Sequence, residues 1–112
     1  MAGLFSQVFQ RDNHRCVYCG KYMLHDFETF YTSQLDHLVP GAGNQLDNVV
    51  LSCYVCNSLK GKHVPPMEYS LDARAIYNHA VRSHVMGRRA ERMQDFASWT
   101  HPTEGQPIKV SE

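Results

Sequence analysis

Four cysteines stand in two pairs of identical spacing, Cys16 and Cys19 in "CVYC" and Cys53 and Cys56 in "CYVC". Each pair makes a tight turn that aims two sulfurs at one point. Two such turns supply the four thiolates of a tetrahedral zinc site. A closed four-sulfur site keeps no open position for substrate, so a zinc held there is structural. Gly20, directly after the first pair, suits the backbone of such a knuckle. Reduced cytosolic thiols argue against two disulfides, and the paired spacing argues against four unrelated buried thiols.

A second group of residues carries different chemistry. "QLDHLVPG" sets Asp36 beside His37 at the end of an apolar run, just before a proline and a glycine. Asn57 follows the last cysteine directly, so a zinc on both knuckles brings Asn57 to the neighbourhood of the Asp-His turn. Asp and Asn offer oxygen ligands to a hard cation such as Mg²⁺. Histidine offers a base that titrates near neutrality. Together these form a minimal kit for metal-assisted phosphodiester hydrolysis. Each residue also has a plainer reading: a surface pair or cap for Asp36-His37, an N-cap for Asn48, a polar helix position for Asn57.

The stretches "RCVYCG", "LDHLVPGAGNQLDNVVLSC" and "CYVCNSLKGKH" resemble the HNH endonuclease family in its zinc-knuckle branch. The resemblance covers roughly residues 11–63. It implies a ββα-metal core stapled by the four-cysteine zinc site; with the N-terminal helix and C-terminal helices that the apolar spacing predicts around it, the expected fold is small α+β. The resemblance implies His37 as general base, and Asp36 and Asn57 as ligands of a catalytic Mg²⁺ or Mn²⁺. Asn48 would bridge the loop by hydrogen bonds and hold the histidine strand without touching the metal. Cys16, Cys19, Cys53 and Cys56 would hold the structural zinc. His63 is the other candidate for the late position of the motif, as ligand or transition-state donor. The implied products are a 5′-phosphate and a 3′-hydroxyl.

Around these residues the sequence predicts the following elements. Leu4, Phe5, Val8 and Phe9 recur at helical spacing and predict a short helix over 3–11. "FETFYTSQLDHLVPG" reads as strand ending near Val39. "GAGNQLDN" reads as loop. A helix start is expected near Asp47 or Asn48, then the second knuckle, then a helical turn ending near Gly61. Ala73, Ile76, Tyr77, Ala80, Val81 and Val85 follow a helical period and predict an amphipathic helix. Gly87 is its expected break, with a second helical piece around Met93, Phe96 and Ala97. Trp99 reads as a core anchor. His14, His25, His79, His84 and His101 read as structural or surface residues.

The chain of 112 residues fits one domain over 1–112, with the core at about 11–63, a helical extension at about 67–100 and a weakly ordered tail at 101–112. At 43% apolar and 20% charged residues, its composition is that of an ordinary soluble domain. No apolar run approaches the ~20 residues that cross a bilayer. "MAGLFSQVFQRD" lacks the features of a secretion signal, so a cytoplasmic location is the expectation.

Zero net charge argues against binding nucleic acid by bulk attraction. Residues 59–92, however, hold seven Lys and Arg against three Asp and Glu. Lys60, Lys62, His63, Arg88, Arg89 and Arg92 are therefore the candidate phosphate contacts. A solvated helix face is the plainer reading of that segment. DNA is the expected partner, with RNA as the alternative, no membrane, and a state open between monomer and homodimer. A non-catalytic zinc-stabilised module binding nucleic acid or protein is the alternative function.

Overall fold

The computed structural model describes residues 3–100. The tail at 101–112, and His101 with it, lies outside the described residues. Among those described, four α-helices and two strands follow one another: α1 (Leu4–Arg11), the short α2 (Phe27–Tyr31), β1 (Gln34–His37), β2 (Val49–Ser52), α3 (Tyr54–Lys60) and α4 (Arg74–Thr100). β1 and β2 form an antiparallel pair in which Leu35 faces Leu51, Asp36 faces Val50 and His37 faces Val49. The hairpin followed by α3 is the expected ββα core, and the four cysteines cluster together beside it. No helix among the described residues is long and apolar enough to cross a membrane.

Two expectations are corrected. Phe27–Tyr31 is helical, and only Gln34–His37 of the aromatic run is strand. Asp26 decides this locally: its carboxylate accepts the backbone N–H of Thr29 at 2.7 Å and caps the helix. The rings of Phe27 and Tyr31 then meet one turn apart, their centroids 5.6 Å from each other. The helix start expected near Asp47 is only a 3-10 turn, Leu46–Asn48, and Val49–Ser52 runs on as a strand. All four residues of β2 are buried. A strand buried on both faces is a continuous apolar run, which periodicity cannot separate from a buried helix.

β2 is covered on its second edge as well. The backbone N–H of Leu51 donates to Asp12 at 2.8 Å, and Arg11 donates to the Val49 carbonyl at 2.6 Å. From the first knuckle, the Val17 N–H donates to the Leu51 carbonyl at 3.0 Å. The end of α1 and the knuckle thus satisfy an edge that would otherwise expose unpaired backbone.

The core gathers Val8 and Phe9 of α1, Tyr18 and Met23 of the knuckle region, Leu38, the apolar residues of β2, and Tyr77, Val81 and Val85 of α4. A third correction concerns α4, which runs unbroken through Gly87 for 27 residues. Its length is about 40 Å at the usual helical rise. A glycine costs a helix about 1 kcal/mol, too little to stop one anchored by three buried residues. Beyond Arg89 every described residue of α4 is exposed, and Trp99 is 48% exposed rather than a core anchor.

Candidate active site and zinc centre

The sulfurs of Cys16, Cys19, Cys53 and Cys56 all lie within 4.8 Å of one another. The four form a candidate zinc site, and the donor set fits that metal: four thiols, tetrahedral in number, on two tight turns. Gly20 closes the first turn at φ 79°, a left-handed conformation that a side chain would strain. Cys53 caps α3, its sulfur accepting the Cys56 N–H at 3.3 Å. Thiol hydrogen bonds, from Cys19 first, pull Cys16 far below the ordinary thiol range, while Cys16 first pushes Cys53 and Cys56 well above it. Arg89 of α4 donates to the Cys56 sulfur at 3.6 Å and brings a positive charge to a thiolate site.

Asp36, His37 and Asn57 line one open cleft of about 480 Å³, together with Asn44, Lys60 and Lys62. β1 delivers the acid and the histidine at its last two positions, and α3 delivers Asn57. Asp36 is buried, and both its oxygens have partners. Lys60 donates to Oδ1 at 2.9 Å, and the Tyr18 hydroxyl donates to Oδ2. Lys60 also donates to the His37 carbonyl at 2.7 Å and is only 3% exposed. His37 is half-buried, and its Nε2 lies 2.6 Å from Asn44 Oδ1. A carbonyl oxygen can only accept, so Nε2 is the donor, and in the neutral ring this leaves Nδ1 as the acceptor.

Asn48 is buried in the turn between the strands. Its Nδ2 donates to the carbonyls of Val39 at 3.1 Å and Gly43 at 2.9 Å, and its Oδ1 accepts the Val39 N–H at 2.9 Å. Gly43 sits at φ +100°, where a Cβ would lie 2.7 Å from the Gln45 side chain. The turn after His37 is therefore tied at both ends by one side chain.

The other candidates separate. Lys62 is exposed at the cleft rim. Lys60, expected among the phosphate contacts, is withdrawn into the ion pair with Asp36, because its ammonium finds a buried carboxylate at 2.9 Å and a carbonyl at 2.7 Å. His63 is not among the residues lining the cleft; it stacks flat on His84 of α4 with ring centroids 3.6 Å apart. Arg88 is exposed, Arg92 pairs with Asp95 at 2.9 Å, and Arg89 turns to the cysteines. Sequence reasoning missed Tyr18, which is only the third residue of a CxxC turn, and read Asn44 as a turn former. Nothing in their spacing marks either one.

A two-stranded hairpin whose first strand ends in Asp-His, a following short helix that carries an asparagine, and a four-thiol clamp beside them make up a ββα core. Residues 16–63 match the HNH endonuclease family. The CRISPR-associated endonuclease Cas9 of Corynebacterium diphtheriae is 42% identical over 59 residues, which cover 49% of this chain. The match spans 5% of that protein. No solved structure matches the chain.

Proposed function

We propose that this protein is a divalent-metal-dependent endonuclease that hydrolyses phosphodiester bonds of DNA. The observation that carries the reading is the convergence of Asp36, His37 and Asn57 on one open cleft. The similarity to an endonuclease of Corynebacterium diphtheriae supports the same class.

The residues present fit a hard cation. Asp36 already holds a positive charge at 2.9 Å, in the Lys60 ammonium, and Asn57 lines the same opening. Asp36 and Asn57 would hold Mg²⁺ or Mn²⁺, with water and phosphate at the remaining positions. When bound, such an ion neutralises charge on the phosphate and the leaving oxygen.

The chain's own residues supply the rest. Nδ1 of His37 takes a proton from a water as that water's oxygen attacks phosphorus. The P–O3′ bond breaks, solvent protonates the leaving oxygen, and a 5′-phosphate and a 3′-hydroxyl result. Asn44 fixes the tautomer of His37, and Asn48 fixes the turn that presents it. Lys62, at the cleft rim, would meet a phosphate of the flanking backbone. The four cysteines would hold a structural zinc.

The test is nicking of supercoiled plasmid by the full chain in Mg²⁺ or Mn²⁺. His37→Ala should lower the rate about 10²- to 10⁴-fold, the usual share of a general base, with zinc content and melting unchanged. A variant that cleaves like the wild type overturns the role of His37. A wild type that cuts neither DNA nor RNA with any divalent ion overturns the enzyme reading and leaves the zinc-stabilised binding module.

A further inference from the structure

Tyr18 is fully buried, and its backbone is held from three directions. Its neighbour Val17 is bonded to β2, the two flanking cysteines belong to the thiol cluster, and Arg82 of α4 donates to the Tyr18 carbonyl at 2.8 Å. The phenol rises from this fixed point, and its hydroxyl donates to Oδ2 of Asp36. A phenol hydroxyl can donate and a carboxylate can only accept, so the direction of this bond is fixed by the two groups themselves. Lys60 occupies the other oxygen, Oδ1. The Lys60 side chain has several rotatable bonds and can yield to a divalent ion; the phenol of Tyr18 cannot move without the knuckle.

We infer that Tyr18 is a positioning residue for the catalytic metal ion: it anchors Oδ2 of Asp36 to the four-cysteine knuckle and leaves Oδ1 as the oxygen that exchanges Lys60 for the divalent cation. This rests on the reading of Asp36 as a metal ligand. Its consequence is that the two metal centres are joined through one hydroxyl. Without the hydroxyl the carboxylate is free to rotate toward Lys60 and to offer both oxygens to the ammonium, which competes better with the metal. Hydrogen-bond partners of metal ligands typically contribute about 10- to 100-fold to metal affinity.

Binding of Mn²⁺ to the zinc-loaded full chain, followed by the electron spin resonance of free Mn²⁺, tests this without any turnover. Tyr18→Phe should weaken the Mn²⁺ Kd by about 10-fold or more and leave the zinc content at the wild-type value. Its nicking activity should return toward wild type at saturating Mn²⁺. A Tyr18→Phe protein that melts lower but binds Mn²⁺ with the wild-type Kd overturns the inference and leaves Tyr18 a core residue. Asp36→Asn separates the two readings. If it leaves Mn²⁺ binding intact, the ligand role of Asp36 fails, and the role of Tyr18 fails with it. If it removes Mn²⁺ binding while Tyr18→Phe does not weaken it, only the inference about Tyr18 fails. Should Tyr18→Phe not fold, 3-fluorotyrosine placed at position 18 reads the same contact. A fluorine shift that saturates with Mg²⁺ at its calorimetric Kd is expected, and an unmoved resonance overturns the inference.

Discussion

Asn48 shows how one side chain can set a site it does not enter. It satisfies one N–H and two carbonyls of the turn that follows His37. Truncation removes three hydrogen bonds to part-buried groups, each contributing about 0.5–1.5 kcal/mol. Asn48→Ala should therefore lower stability by roughly 2–4 kcal/mol in urea unfolding. Its nicking rate should fall even where the protein remains folded, because His37 loses its frame. Unchanged stability would show that water replaces the amide. At this scale the sequence was partly legible. The order Asp36-His37, Asn48, Asn57 was picked out through its resemblance to a family motif, and the fold brings Asp36, His37 and Asn57 to one cleft. Tyr18 and Asn44 were not picked out, because they act through geometry that places residues 18 and 36, or 37 and 44, side by side only after folding.

The elements were legible where amphipathic period decided them, and illegible where burial was complete or a cap intervened. α1 follows its apolar spacing, whereas β2 is buried throughout and α2 depends on the Asp26 carboxylate. Gly87 sits mid-helix and exposed, with no left-handed φ, and a Cβ there would meet nothing within 4 Å beyond the helix's own backbone. Gly87→Ala should accordingly stabilise the protein by about 0.5–1 kcal/mol, read as a higher midpoint in denaturant with an unchanged slope. A loss of stability would mean that the helix bends there in solution.

The stacked rings of His63 and His84 pin α4 to the chain that follows α3. Burial first, then His63 and the Arg88 charge, hold the His84 pKa below its ordinary 6.5, against the opposing pull of Glu91. The unfolded chain then binds a proton more readily than the folded one. The stabilisation is present above pH 6.5 and is lost as pH falls through the lowered folded value. The melting temperature of the wild type should drop more steeply on acidification through this range than that of His84→Phe, which keeps a ring on His63. Equal slopes in the two proteins would remove His84 from the account.

For the whole molecule, the four-cysteine cluster joins the parts that the chain separates. The first knuckle carries Tyr18 and bonds to β2, the second begins α3, and Arg89 ties the cluster to α4. Metal-site binding energy in a small fold is folding energy. The purified protein should hold about one zinc per chain by elemental analysis. Cys53→Ser, which also weakens the cap of α3, should be largely unfolded by circular dichroism. Zinc should leave as the solution is acidified, since the ligands must be thiolates. A folded, soluble wild type without zinc would contradict this. The clamp was the most legible feature of the sequence, because CxxC spacing leaves few alternatives. The continuity of α4 was the least legible, since a lone glycine predicts a break that three buried anchors override.

The sulfurs of Cys19 and Cys53 are 3.8 Å apart in space and 34 positions apart in sequence. A metal between them closes a ring that contains α2, β1, the turn behind His37 and β2. Loop-closure entropy for a covalent link of that span is about 4 kcal/mol, taken from the freedom of the unfolded chain. Protease nicking of the 41–45 turn would open this ring without separating its arms, which would stay bound to one ion and to each other through the hairpin. The two fragments should migrate as a single particle until a chelator is added, and only then fall apart.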